Sequence, residues 1–211
     1  MHIGLLPDKR KWRVYMGHAL AERGERFMTI VGGKSCTTAD VEALPDGERA
    51  ELIDGEMFIM ESPSMTHQKI LGELYVQIYM HIRKNKGPCE VFLAPFAVYV
   101  ANDTRNYVEP DITVVCQGNK LDERGCHGAP DWIIEITSPN NKYMDYVRKL
   151  TLYHATGVRE YWIVDPKQKY VTVYDFEHGE GPVVYPFSEP VKVRIYENLS
   201  IDFRQFISAS P

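Results

Sequence analysis

Apolar positions along the 211-residue chain follow two periods, and the switches between them mark the elements. Over residues 66–84, Ile70, Leu71, Leu74, Ile78 and Ile82 recur at three- and four-residue spacing, which predicts an amphipathic helix. Ser62-Pro63-Ser64 breaks the chain ahead of it, and His67 lies on the apolar stripe in its first turn. His67 therefore points toward the body of the protein, where the residues alone favour a capping or packing role over a site role. Upstream, residues 38–44 read as a short helix capped by Thr37 or Thr38, followed by a Pro45-Asp46-Gly47 turn. Residues 50–53 and 57–60 flank Asp54-Gly55, a two-residue hairpin signal. Glu51 alternates with Leu52 and faces either inward or toward solvent.

Downstream the pattern is strand-like. Residues 89–100 predict a strand bent at Pro95, where proline requires an edge or a bulge. Residues 108–116 predict a second strand opening on Pro110-Asp111, and residues 118–130 a polar loop. The run Trp132-Ile133-Ile134-Glu135-Ile136 predicts a buried strand containing one acid. A carboxylate leaves water at high cost unless it is paired, protonated or bound to a metal. Ser138-Pro139 ends that strand, Asn140 or Asn141 caps a helix, and Asp145, Lys149 and Tyr153 then share one helical face. Met144, Val147, Leu150 and Thr151 fall on the other face, and Gly157 supplies a left-handed stop. Strands follow over residues 160–166 and 170–176, and shorter ones near 182–187 and 191–196, before a last segment around Ile201, Phe203 and Phe206.

Composition is that of an ordinary globular protein, and the length suits one domain. A net charge of −5 argues against a protein that coats nucleic acid non-specifically, but leaves room for an acidic metal site with a local basic rim. Cys36, Cys89, Cys116 and Cys126 have no C-x-x-C or zinc spacing and follow no secretory leader, so reduced thiols and a cytoplasmic location are expected. No apolar run is long enough to cross a bilayer, so no membrane partner is expected. Residues 1–37 match the remainder poorly and are expected to carry little order. Arg23-Gly24-Glu25-Arg26 is what a translated purine-rich ribosome-binding site would give, which makes Met28 an alternative start.

The chain contains no G-x-S-x-G, H-E-x-x-H, P-loop or dinucleotide fingerprint. It offers Asp111 opening one strand, Glu135 in the next and Lys149 on the helix after it. Two strand carboxylates suit a hard divalent ion. A nearby ammonium would orient or deprotonate water and stabilise charge on a phosphate. Each residue also has a structural reading: Asp111 as a strand-start cap, Glu135 and Lys149 as a buried network, Asp145 and Lys149 as an ordinary helix ion pair. Trp132, Trp162 and the Tyr170–Tyr174 stripe read as core.

Taken together, several blocks resemble the Uma-type family of restriction-endonuclease-like proteins. They are the run from Leu44-Pro45-Asp46-Gly47-Glu48-Arg49 to Leu52-Ile53-Asp54-Gly55-Glu56, Ser62-Pro63-Ser64-x-x-His67, Glu109-Pro110-Asp111-Ile112, Glu135-Ile136-Thr137-Ser138-Pro139, Asp145-x-x-x-Lys149-x-x-x-Tyr153 and Glu160-Tyr161-Trp162-Ile163-Val164-Asp165-Pro166. That family belongs to the PD-(D/E)xK nuclease superfamily. The resemblance implies an α/β (α+β) restriction-endonuclease-like fold over residues 38–207, a mixed central sheet flanked by helices, with an added N-terminal hairpin and C-terminal strands. It implies Asp111 and Glu135 as metal ligands, with the Ile136 main-chain carbonyl completing the shell, and Mg²⁺ as the ion, Mn²⁺ substituting.

Where the superfamily's simplest pattern has lysine two residues after the second acid, this chain has Thr137. The resemblance implies a lysine migrated to the helix as Lys149, with Lys142 as competitor. It implies Glu51 as a further catalytic acid, and His67, Asp145 and Tyr153 as supporting or phosphate-contacting groups. The function expected is a Mg²⁺-dependent endonuclease hydrolysing DNA phosphodiester bonds. The alternatives are an inactive nucleic-acid-binding or regulatory module on the same fold, and a metal-dependent hydrolase of a small phosphorylated substrate. Pairing of two copies as a homodimer is compatible with cutting two strands.

Overall fold

The computed structural model describes residues 29–30, 35–138 and 144–207. In chain order its elements begin with β1 (Thr29–Ile30), α1 (Thr38–Glu42), β2 (Ala50–Ile53), β3 (Glu56–Ile59) and α2 (Met65–Asn85). Next come β4 (Glu90–Leu93), β5 (Val98–Tyr99), β6 (Ile112–Val115), β7 (Leu121–Asp122), β8 (Gly125–His127) and β9 (Trp132–Ile136). A π-helix (Met144–Lys149) runs directly into α3 (Leu150–Thr156). The chain then forms β10 (Glu160–Asp165), β11 (Tyr170–Asp175), β12 (Glu180–Pro186), β13 (Val191–Lys192) and β14 (Ser200–Ile201).

Six strands make the central sheet, in the order β12-β11-β10-β9-β6-β4. β9 and β10 run parallel and every other neighbouring pair is antiparallel. Parallel strands need a crossover, and the π-helix with α3 lies on the chain path between them. Because side chains alternate across a strand, β9 serves two cores. Trp132, Ile134 and Ile136 join Ile70, Leu74 and Ile78 of α2 on one side of the sheet. Ile133 joins Leu152, Tyr153 and Tyr161 on the other. Glu135 falls in the second set by alternation, and no apolar residue takes its place. Trp132 and Trp162 are fully buried and meet edge to face at 4.9 Å.

The hairpin β2–β3 turns on Asp54 and Gly55, both at positive φ (53° and 81°), the backbone a tight two-residue turn demands. Thr37 and Asp40 close a capping box on α1. Ser64 caps α2 by accepting a bond from the His67 N–H.

Several expectations need correction. Before Thr37, where little order is expected, Thr29–Ile30 pairs with Met57 and Phe58 as an edge strand of the hairpin sheet, and residues 1–28 and 31–34 lie outside the described residues. Residues 118–130 hold β7 and β8, which pair with each other and join β5 in a small three-stranded sheet. Their strands are two and three residues long, too short to show a period. The strand expected over 89–100 divides at the cis Ala94–Pro95 bond, and its two halves enter different sheets. Met144–Lys149 is π rather than α.

Cys89 and Cys116 form a disulfide, where reduced thiols were expected. Glu90 pairs with Val115 across β4 and β6, so one further step in that register brings the two cysteines face to face. Their 27-residue separation in the chain hides this. Among the described residues no helix is long and apolar enough to cross a membrane.

Candidate active site

Register brings the two strand acids together. Ile112 lies opposite Ile134 and Thr113 opposite Ile133 in the antiparallel β6–β9 pair, so the next step sets Asp111 opposite Glu135. Side chains directly opposed across such a pair share a face and lie close together. Continuing once more, Pro110 falls opposite Ile136. The Ile136 N–H points to that side, donating to Asp111 Oδ2 at 2.7 Å. In an extended strand the carbonyl of the same residue points the same way, and Pro110 has no N–H to give it. The proline of the Pro-Asp dipeptide thus keeps a ladder donor away from a carbonyl flanked by two carboxylates.

Asp111 is held on a second side by His67, whose Nε2 lies 3.0 Å from Oδ2. Both donors use one oxygen of the carboxylate. The His67 and Asp111 side chains keep 14% and 17% of their surface exposed, so the site is open on this flank.

The other flank is closed. Lys149 Nζ donates to Glu135 Oε1 at 2.9 Å and lies 2.8 Å from Glu51 Oε2. Tyr153 donates its hydroxyl to the same Glu135 oxygen at 2.9 Å. Glu51, Glu135, Lys149 and Tyr153 are all buried. Three buried charges persist because each is paired and further hydrogen-bonded. Burial and the charge of Glu135 push the Tyr153 hydroxyl well above its ordinary range, so it remains a neutral donor. Lys149 and Tyr153 are four residues apart across the start of α3 and reach the same carboxylate from one helical face. The π-helix that delivers Lys149 is a form that recurs at functional sites.

Glu51 is anchored by a network that the sequence did not suggest. Its Oε1 accepts the Glu109 N–H at 3.0 Å. The Glu109 carboxylate in turn takes Arg49 Nε at 2.7 Å and the Tyr107 hydroxyl at 2.7 Å. The available signal was alternation, since Arg49 and Glu51 are two apart on one strand face and Glu109 adjoins Pro110-Asp111.

The structure therefore brings together Asp111, Glu135, Lys149, Tyr153, Glu51 and His67, with the Ile136 main chain between the two strand acids. His67 is an Asp111 partner, beyond the packing role that its stripe alone favoured. Glu51 faces inward. Lys142 and the Asn140 and Asn141 caps lie outside the described residues, as does the side chain of Asp145. Among the described residues no three His, Cys, Asp or Glu side chains cluster tightly enough to cage a cation. What the site offers is an all-oxygen set of two carboxylates and a carbonyl, which fits Mg²⁺, an ion that keeps several of its waters.

Residues 38–204 match the profile of Uma2, described as "Putative restriction endonuclease". An uncharacterized protein of Synechocystis sp. is 26% identical over 128 residues, covering 60% of this chain and 66% of that protein's length. The crystal structure of "a putative nuclease belonging to DUF820" from Anabaena variabilis superposes with a TM-score of 0.67 at 23% identity, covering 82% of this chain and 97% of the other. That likeness establishes the restriction-endonuclease-like fold, a mixed sheet with few helices. With its family profile matched from α1 to the C-terminal strands, the chain belongs to the Uma2 family of restriction-endonuclease-like proteins.

Proposed function

We propose that the chain is a Mg²⁺-dependent endonuclease that hydrolyses DNA phosphodiester bonds at Asp111, Glu135 and Lys149. The observation that carries this reading is the opposition of Asp111 and Glu135 across β6 and β9, with Lys149 and Tyr153 both on Glu135. Asp111, Glu135 and the Ile136 carbonyl would hold the ion, with Mn²⁺ able to replace it. When bound, the ion would supply a Lewis acid for the phosphate and for water.

The remaining work falls to the chain. His67 and the Ile136 N–H fix the Asp111 carboxylate by one oxygen. Tyr153 and Lys149 fix Glu135 in the same manner. The Lys149 ammonium, held between Glu51 and Glu135, stands ready to offset negative charge that builds on phosphate oxygens in the transition state. Hydrolysis joins a water oxygen to phosphorus and breaks one ester P–O bond, whose electron pair leaves on the sugar oxygen and takes up a proton. The partly exposed Asp111–His67 flank is where a phosphate of the substrate would enter.

The test is cleavage of plasmid and linear duplex DNA with Mg²⁺ or Mn²⁺ by the full chain and by Asp111→Asn and Glu135→Gln. Each variant is expected to lose cleavage while remaining folded, Glu135→Gln at a cost in stability because it leaves Lys149 paired with Glu51 alone. Near wild-type cleavage by either one overturns the assignment.

A further inference from the structure

The buried hydroxyl of Thr137 on the site face has no role in the arrangement above. Thr137 follows Glu135 by two residues, so its side chain lies on the same face of the strand. Its N–H donates to Val164 O at 2.8 Å, which carries the β9–β10 ladder past Ile136 and fixes the Thr137 backbone. The residue is 6% exposed, and among the described residues its buried Oγ1 has no hydrogen-bond partner. A buried hydroxyl left unsatisfied costs stability that valine, of the same shape, would not. Among the described residues Thr113 Oγ1 is also without a partner. It lies opposite Ile133 and is fully enclosed, whereas Thr137 sits just past the strand end, two residues beyond Glu135 on the same face.

We propose that the Thr137 hydroxyl binds a water molecule at the Asp111–Glu135 site and orients it for attack on phosphorus. Resting on the endonuclease reading, the assignment adds a residue to it. A hydroxyl both donates and accepts, so Thr137 Oγ1 accepts one O–H of the water and leaves a lone pair of the water oxygen directed outward. Glu135 is committed through Oε1 to Lys149 and Tyr153. Thr137 supplies, from the same strand face, an uncommitted hydrogen-bonding group. In the hydrolysis above, that water's oxygen forms the new P–O bond and one of its protons is passed on to the departing sugar oxygen.

The experiment compares Thr137→Val and Thr137→Ser with wild type in the full chain, by metal-free unfolding midpoint, by Mn²⁺ affinity from the electron paramagnetic resonance of free ion, and by steady-state cleavage of duplex DNA. Valine is expected to leave the midpoint equal or higher and Mn²⁺ stoichiometry unchanged. It should lower kcat by about 10- to 100-fold, the usual effect of losing a group that supports a metal site, with KM unaltered. Serine is expected to restore most of the rate. A valine variant with wild-type kcat overturns the proposal, as does one whose lost activity follows a lowered midpoint. Mn²⁺ binding and cleavage by wild type alongside an unaffected valine variant would remove this assignment alone. Wild type that neither binds Mn²⁺ nor cleaves would remove the endonuclease reading and this one with it.

Discussion

Lys149 and Glu135 meet at 2.9 Å with both side chains almost wholly buried. The lysine also lies 2.8 Å from Glu51, so one ammonium holds two carboxylates that would otherwise repel. Its removal carries a structural cost as well as a chemical one. Lys149→Met is expected to lower stability by about 3–5 kcal/mol, the range for breaking a buried ion pair from one side, and to abolish cleavage. Lys142→Met should do neither. Urea unfolding and DNA cleavage of the two variants check this, and the reverse order would reassign the lysine.

His67 holds Asp111 through one oxygen in partnership with the Ile136 N–H. His67→Ala removes one of the two donors while the backbone donor remains. Cleavage is expected to fall about 10- to 100-fold, as when a partner of a metal ligand is lost. The unfolding transition should move little, because the His67–Asp111 pair lies on the partly exposed flank. Unaltered cleavage by the alanine variant would return His67 to a packing role.

Opposite Trp132, at the other end of β9 from Glu135, Glu160 is fully buried at the start of β10. It accepts the Trp162 indole N–H at 2.6 Å and the N–H groups of Arg194 and Ile195 at 2.9 Å. Burial pushes its carboxyl up to about 7, against the lowering effect of those donors. A carboxyl raised on folding binds a proton in the native state that the unfolded chain has already released. Between about pH 4.5 and 7 its contribution to stability therefore falls as pH rises, by about 1.4 kcal/mol per unit. Comparing unfolding free energies of wild type and Glu160→Gln across pH 5–8 isolates the effect. The wild-type curve should decline relative to the variant up to pH 7 and run parallel above it.

The Cys89–Cys116 bond closes a loop with a sequence separation of 27. In the chain-entropy account such a cross-link contributes about 3.5 kcal/mol. Reduction is thus expected to lower the unfolding midpoint. Cleavage at temperatures where the reduced protein remains folded should persist, because Cys116 follows the far end of β6 from Asp111. Thiol titration alongside thermal unfolding, with and without reductant, tests both statements.

How much of this was legible in the chain depended on whether the signal was local. The β2–β3 turn, the α2 stripe and the Trp132–Ile136 strand each announce themselves within a few residues, and the structure holds them close to where periodicity put them. Glu135 was conspicuous because no apolar strand carries an acid without a partner. What sequence could not show is register. The opposition of Asp111 and Glu135 and the meeting of Cys89 with Cys116 all follow from how β6 pairs with β9 and β4. The Arg49–Glu109–Tyr107 network escaped notice for the same reason, since Arg49 and Glu109 are 60 residues apart. The π-helix was invisible because its residues suit an α-helix equally well and only the wider hydrogen-bonded turn distinguishes it.

Asp111 and Glu135 together are expected to hold a divalent cation. A crystal of the full chain soaked in Mn²⁺, with anomalous scattering recorded, addresses it directly. One strong peak is expected between these two carboxylates and within coordinating distance of the Ile136 carbonyl, absent in Glu135→Gln. Density for Mn²⁺ only elsewhere, or none at these side chains with the site accessible in the crystal, would contradict it.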